Sequence, residues 1–158
     1  MNLSKVLNFL YKLPSGLNKI YKKKKEKIRI HNKSRNKNKY DPVTNMDKVF
    51  EKFIRKEIYK NFPSTSVSGE EFKDHISKSN YKWYVDPIDG TKAFILGAPT
   101  WSNLVALTYN KLSVFGLANF PELKKYYIND LKYSYVIKNK KKIKIKSTNI
   151  TNLKKIKI

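Results

Sequence analysis

The sequence predicts an α+β fold in which two N-terminal helices pack on a mostly antiparallel sheet. Apolar residues recur at helical spacing in residues 3–25 and again after Thr44. Beyond Pro63 the pattern changes to short, β-rich segments that are separated by turn residues. A chain of 158 residues is long enough for one domain with a real hydrophobic core. We therefore expect one domain, with helices first and strands afterwards.

The two predicted helices differ in how their ends are marked. The first covers residues 3–25, with a break expected at Pro14-Ser15-Gly16. The next stretch, 26–42, is rich in asparagine and lysine, which favours a loop or a loosely ordered arm. The second helix follows Thr44, which together with Asp47 resembles a capping box, and it closes at Asn61-Phe62-Pro63. We therefore separate an N-terminal helix and basic arm (1–42) from the rest of the chain (43–158).

The remaining segments alternate in the manner of strands. TSVSG and YKWYV are short and rich in β-formers. WSNLVALTY and LSVFGLANF are joined at Asn110-Lys111, which predicts a hairpin. KKYYIND, YSYVIKN and KKIKIK predict a meander after them.

The formal net charge of +23 is unevenly distributed. Residues 1–40 carry +12 and residues 122–158 carry +10, whereas residues 41–121 carry +1. Such basic flanks are typical of a surface for nucleic acid or anionic membrane. However, only three of the 35 basic residues are arginine, which does most of the bidentate reading of bases and phosphates. We favour lysines on solvated faces, a result of biased base composition, and expect no specific nucleic-acid partner.

The composition also bears on compartment and membrane. The sequence contains no cysteine, which excludes disulfides and thiolate metal sites and fits a reducing compartment such as the cytoplasm. No apolar run approaches the roughly 20 residues that span a bilayer. We therefore expect a cytoplasmic protein without a membrane partner.

The stretch WYVDPIDGTKAFILG, residues 83–97, predicts a site. A strand should deliver Asp86 at its end, because Pro87 prevents continuation in a sheet interior. Asp89-Gly90 should form a turn, after which Thr91 starts a short helix that Gly97 terminates. Such a turn aims both aspartates into one pocket beside a helix N-terminus.

The two carboxylates at this spacing call for a counter-charge. They repel each other unless a proton or a cation lies between them, and a helix N-terminus attracts an anion. Carboxylates, a hard cation and phosphate together make a Mg²⁺ phosphoryl-transfer site. The alternative is an ordinary Asp-Gly turn with helix-capping aspartates, and DxxDG taken alone favours that alternative.

Two upstream motifs favour the metal site over an ordinary Asp-Gly turn. SGEEF (68–72) places two acids directly after a short strand, and DPVTNMD (41–47) lies before it. In order and spacing, the three motifs resemble those of the inositol monophosphatase-like family of Mg²⁺-dependent, lithium-sensitive phosphatases. The resemblance runs from about Tyr40 to the C-terminus. It implies the first half of the family's αβαβα fold, with 43–158 as its N-terminal subdomain and the C-terminal subdomain absent.

The resemblance implies a set of metal ligands. Glu70, Asp86 and Asp89 match the metal-ligating carboxylates, and Ile88 matches the residue whose backbone carbonyl joins the same ion. Glu71, the second acid of its pair, is expected to be a solvated neighbour rather than a ligand.

The resemblance also implies phosphate-binding and catalytic positions. Gly90 and Thr91 match the residues whose backbone amides hold the phosphate. Thr91 and Asp47 match the pair that orients and activates the attacking water, and Glu70 belongs with them as a catalytic residue. The expected partner is a small phosphorylated metabolite.

The branch of the family is indicated by the residues that follow. DPIDGTKAFILGAPTW looks most like the histidinol-phosphatase-type branch, although Ala98 stands where that branch often has a basic residue. The inositol monophosphatase branch remains open, and so do the 3′(2′),5′-bisphosphate nucleotidases, which also favour lysine at position 92.

One expected ligand has no counterpart. The family's second half supplies another metal-binding aspartate, typically in a Trp-Asp pair, and after Asp89 only Asp130 is present, in a different context. The stretch 137–158 resembles the strand and turn that close the first half. We therefore expect either a Mg²⁺-dependent phosphate monoesterase or a truncated, inactive remnant. In a third possibility the chain is one half of a split phosphatase that needs a complementing C-terminal half or a homodimer.

Overall fold

A computed structural model describes residues 1–34, 40 and 42–147. Within these residues lie the helices α1 (Leu3–Lys24), α2 (Asn45–Asn61) and α3 (Thr91–Ile95). The strands are β1 (Ile30–Asn32), β2 (Pro42–Thr44), β3 (Ser66–Gly69), β4 (Tyr81–Asp89), β5 (Ser102–Tyr109), β6 (Leu112–Phe120), β7 (Lys125–Asn129), β8 (Ser134–Lys138) and β9 (Lys141–Ile145). The predicted α+β class is confirmed. Asp41 and residues 148–158, which carried part of the sequence prediction, lie outside the described residues.

Strands β3 to β9 form one seven-stranded sheet in chain order. Every neighbouring pair is antiparallel except β3 and β4, which run parallel. The predicted hairpin joins β5 to β6, where Asn110 and Lys111 have φ of 48° and 68°. Two consecutive positive φ angles are the mark of a type I′ turn, whose twist matches that of the flanking strands. The predicted meander is confirmed in β7, β8 and β9.

The hydrophobic core lies between one face of the sheet and the helices α1 and α2. Trp83 of β4 is fully buried there, with its ring 5.4 Å from that of Phe9 and 5.3 Å from that of Phe62. Trp101 packs in the same core, 4.8 Å from the ring of Phe94 on α3. The short helix α3 is thereby fixed to the body of the domain.

The predicted break in the first helix is wrong. Helix α1 continues through Pro14, which is buried on the same face as Leu10, Leu13 and Leu17. Packing of this apolar face against the core outweighs the loss of one backbone hydrogen bond. Gly16 has a packing role as well, because a Cβ there would overlap the ring of Phe53 on α2.

The arm 26–42, predicted as a loop, contains a strand. Strand β1 pairs antiparallel with β2, with Ile30 opposite Thr44 and His31 opposite Val43. The backbone N–H of Asn45 donates to the carbonyl of Arg29, which ties the arm to the start of α2. The division of the chain at residue 42 stays a prediction, although α1 shares one core with α2 and the sheet.

Candidate metal and phosphate site

Strand β4 does not stop at Asp86 as the proline predicts. It continues to Asp89, and its register against β5 shifts between these two residues. Asp86 lies opposite Leu104 and Asp89 lies opposite Ser102, so three steps on β4 face two on β5. Residues three apart in a regular strand point to opposite faces, and the extra residue of a bulge changes this alternation. Pro87 is tolerated because it lies in the bulge.

The strand passes directly into α3 at Gly90. Gly90 has a φ of 81°, in the left-handed region that favours glycine. The Thr91 hydroxyl donates to the carbonyl of Ile88 at 3.1 Å, which closes the turn. At the other end Gly97 has a φ of 71°, and the next amide bonds back into the helix. The predicted turn and short helix are confirmed.

Asp47 lies in the first turn of α2 and is buried. Its carboxylate accepts hydrogen bonds from the backbone N–H and the hydroxyl of Thr44, both at 2.7 Å, so the predicted capping box is confirmed. Burial raises the pKa of Asp47, although these hydrogen bonds from Thr44 oppose that effect. The Thr91 hydroxyl, which the resemblance pairs with Asp47, donates to Ile88 instead.

Glu70 and Glu71 follow β3, and the backbone of Glu71 is bound by a buried acid that the sequence analysis did not single out. Glu51 of α2 is fully buried, and its carboxylate accepts from Arg55 Nε at 2.7 Å and from the backbone N–H of Glu71 at 2.7 Å. A Cβ on Gly69 would overlap this carboxylate. The spacing of Glu51 and Arg55 by four residues on one helix was the available signal.

Glu71 is not the solvated neighbour that was expected. Its side chain is 3% exposed and forms an ion pair with Lys33, just after β1. Burial lowers the pKa of Lys33, but the hydrogen bond and charge of Glu71, with the charges of Glu70 and Asp47, raise it overall. The arm therefore brings one cation to a group of neighbouring carboxyls, from a position 38 residues away in sequence. We call this group the acidic cluster; its members are Asp47, Glu70, Glu71, Asp86 and Asp89.

Asp86 is the most perturbed carboxyl of the cluster. Burial, followed by the negative charges of Glu70 and Asp89, raises the pKa of Asp86 to about 7. Its Oδ1 is buried without a hydrogen-bond partner. An unpartnered carboxylate oxygen beside further carboxylates fits a divalent cation, which would satisfy the oxygen and relieve the repulsion. Among the described residues, however, no three Asp, Glu or His side chains converge into a complete ligand set.

We expect Asp86→Asn to stabilise the metal-free protein at neutral and higher pH. The folded pKa of about 7 lies above the ordinary value of 3.8, so the folded state holds a proton that the unfolded state releases. Wild-type stability should therefore fall as the pH rises from about 4 to about 7 and then level off. At pH 8 the variant should gain of order 1–2 kcal/mol, less than the full shift because the half-buried side chain is screened by solvent.

Chemical denaturation at several pH values, with a chelator present, measures this effect. Asp130→Asn is the control, because Asp130 lies in the turn between β7 and β8 and its pKa is lowered. A wild-type protein whose stability rises between pH 4 and 7, together with no gain in Asp86→Asn, would contradict the electrostatic description of the cluster.

The face of the sheet opposite the helices carries an open groove of about 750 Å³. Small or aromatic side chains from four strands line it, including Tyr84, Ala106, Ala118 and Tyr127. Glu70 and Asp86 lie at the same groove, which joins the acidic cluster to an apolar surface. Farther along this face, Ile143 of β9 is 54% exposed. No helix of the described residues is long and apolar enough to cross a membrane.

Comparison with known proteins identifies the family. The model of the inositol monophosphatase family matches residues 2–157. The histidinol-phosphatase of Chlorobaculum parvum is 41% identical over 86 residues, 54% of this chain and 33% of that protein. The fructose-1,6-bisphosphatase/inositol-1-monophosphatase of Aquifex aeolicus is 38% identical over 87 residues, 55% of this chain and 33% of that protein. The chain belongs to the inositol monophosphatase family.

Solved structures show the same fold. An IMPase/NADP phosphatase complexed with Mg²⁺ and phosphate aligns with a TM-score of 0.76 at 20% identity, over 87% of this chain and 53% of that chain. The chain thus spans about half the length of this structural relative, and its sequence matches about a third of the two curated relatives.

Proposed function

We propose that this chain supplies the metal- and phosphate-binding part of a Mg²⁺-dependent phosphate monoester hydrolase. The observation that carries the proposal is the buried, unpartnered Oδ1 of Asp86. Burial, followed by the negative charges of Glu70 and Asp89, raises the pKa of this carboxyl. Membership of the inositol monophosphatase family supports this assignment of the cluster.

The residues divide the work as follows in this proposal. Glu70, Asp86, Asp89 and the carbonyl of Ile88 would hold the cation. The bulge in β4 sets the relative positions of Asp86, Ile88 and Asp89. When bound, a divalent cation polarises the phosphate and lowers the pKa of water. Thr91 and the backbone amide of Gly90 contact the phosphate.

The water-orienting side of the site completes the proposal. Thr91, Asp47 and Glu70 orient the attacking water. Asp47 is held in the first turn of α2 by two hydrogen bonds from Thr44, both of which engage Oδ2. Lys33 balances part of the negative charge of the cluster.

The proposed substrate is a small phosphate monoester of the histidinol phosphate or inositol phosphate type. The similarity to a histidinol-phosphatase and to a fructose-1,6-bisphosphatase/inositol-1-monophosphatase supports this class. A 3′(2′),5′-bisphosphate nucleotide is the second candidate, on the basis of Lys92 after the Asp-Gly-Thr turn. A cytoplasmic location, favoured by the cysteine-free sequence, remains part of the proposal.

The apolar groove supports a further element of the proposal, a complementing C-terminal half. About half of the structural relative has no counterpart in this chain. The exposed sheet face abuts Glu70 and Asp86, so a polypeptide packed there could cover the apolar surface and add a further carboxylate to the cluster. A homodimer through the same face, or an inactive remnant with no occupant, are the other outcomes that an experiment can return.

A substrate panel tests the proposed function. The chain is mixed with a separately produced C-terminal half of the family, and release of phosphate from histidinol phosphate, inositol 1-phosphate and adenosine 3′,5′-bisphosphate is followed with Mg²⁺. We expect hydrolysis of one of the first two, abolished in Asp89→Asn and unaffected in Asp130→Asn. Preferential hydrolysis of the nucleotide would favour the second candidate, and no hydrolysis of any ester would contradict the proposal.

A further inference from the structure

A chain of buried amides links helix α1 to the bulge that carries the two aspartates. Asn103 of β5 is fully buried, and its Nδ2 donates to the carbonyl of Pro87 at 2.6 Å. Asn119 of β6 is 1% exposed and donates from its Nδ2 to Asn103 Oδ1 at 2.9 Å and to Asn18 Oδ1 at 3.0 Å. Asn18 lies on α1 and is half-buried.

The network fixes its own orientation. If the Asn103 amide were turned over, its oxygen would face the Pro87 carbonyl oxygen, and its nitrogen would face the nitrogen of Asn119. Both contacts would be repulsive, so each amide has one allowed orientation. Both N–H groups of Asn119 are used. A buried hydrogen-bond network of this kind holds its members in place.

The network contacts β4 within the bulge that separates Asp86 from Asp89. The carbonyl of Pro87 falls where the β4–β5 register shifts, between the pairs Asp86–Leu104 and Asp89–Ser102. Asn103 lies between Ser102 and Leu104, so its side chain gives this carbonyl a donor within the shifted register. Without that donor the carbonyl would be buried and unpaired, which favours a different local backbone.

We propose that Asn103, supported by Asn119 and Asn18, is a positioning residue that fixes the bulge and thereby the relative placement of Asp86 and Asp89. These amides touch neither the proposed cation nor the phosphate; they act through the backbone at Pro87. Groups that orient metal ligands from behind commonly change metal affinity by about 10-fold to 100-fold when removed.

Hydrogen exchange of backbone amides tests the proposal without any metal. In Asn103→Leu, exchange at Ile88, Asp89 and Gly90 should accelerate roughly tenfold beyond any change elsewhere in the sheet, as expected for one lost hydrogen bond. Thr108→Val is the matched control, because Thr108 Oγ1 donates to the carbonyl of Lys82 at 3.1 Å between the same two strands, far from the bulge. Asn18→Ala, at the half-buried end and least able to unfold the protein, should give the same local pattern more weakly.

Titration with Mn²⁺ is the second readout, and this arm alone rests on the proposed function. Asn103→Leu should raise the dissociation constant about tenfold or more, whereas Thr108→Val should leave it unchanged. Absence of Mn²⁺ binding in the wild type, with the exchange pattern intact, would count against the proposed function and leave the positioning role standing. Exchange at Ile88–Gly90 that is no faster in Asn103→Leu and Asn18→Ala than in Thr108→Val would overturn the positioning role.

Discussion

Glu51→Ala is expected to lower the free energy of unfolding by about 3–5 kcal/mol, the range for breaking one side of a buried ion pair. Glu51 is fully buried, and its partner Arg55 is 6% exposed. Among the described residues, removal of the carboxylate leaves the guanidinium hydrogen-bonded to the carbonyl of Phe72 and the hydroxyl of Tyr59. It also leaves the backbone N–H of Glu71 without its acceptor. The loss should therefore loosen the segment that carries Glu70 and Glu71.

Denaturant unfolding monitored by circular dichroism measures the effect. Glu57→Ala on the same helix is the control and should stay within about 0.5 kcal/mol of the wild type, since its side chain is only half-buried. Replacing both partners, as Glu51→Leu with Arg55→Met, should recover much of the loss, because neither buried charge then remains. If Glu51→Ala is as stable as the wild type, this ion pair does not anchor the segment.

Residues 1–158 without a partner are expected to hydrolyse phosphate monoesters at a rate close to that of the uncatalysed control. In-line displacement at a two-metal site needs both the attacking and the leaving oxygen stabilised. The described residues do not gather three acidic or histidine ligands around one point, and Mg²⁺ demands near-ideal octahedral geometry. The groove beside Glu70 and Asp86 also leaves the cluster open to water. We expect activity only after addition of a complementing C-terminal half.

A coupled phosphate assay with and without that half decides the matter. Hydrolysis by the uncomplemented chain at an ordinary enzymatic rate, lost in Asp89→Asn, would prove this expectation wrong. The apolar sheet face gives an independent readout, because complementation should protect the amides of β6 and β7 from exchange. Self-association of the chain in sedimentation would instead indicate that a second copy covers this face.

Local patterns predicted most of the fold. The capping box at Thr44 and the hairpin at Asn110-Lys111 each depend on a few neighbouring residues, so the sequence contains the whole signal. The expected break of α1 at Pro14 is wrong because a local pattern does not include long-range packing. The local preference of proline is to break a helix, and the packing that overrides this preference comes from elements far along the chain.

The acidic cluster shows a similar limit. The motif locates the aspartates of the DPIDGT turn in the sequence. Their relative placement in space depends on a bulge that Pro87 alone does not predict. The partner of Glu71 is Lys33, 38 residues away in sequence. The buried amides of Asn103 and Asn119 lie on neighbouring strands, and none of the sequence motifs predicts that these two side chains meet. Long-range contacts of this kind decide which polar groups are buried and satisfied, and a single sequence does not display them.

Titration calorimetry with Mg²⁺ and Mn²⁺ tests the central claim, that the Asp86 cluster is a cation site. The wild type should bind one ion weakly, Asp86→Asn should give no binding heat, and Asp130→Asn should match the wild type. The reason is that Asp86 alone in the cluster combines an unpartnered buried oxygen with the charges of Glu70 and Asp89. Identical heats for the wild type and Asp86→Asn would contradict the account.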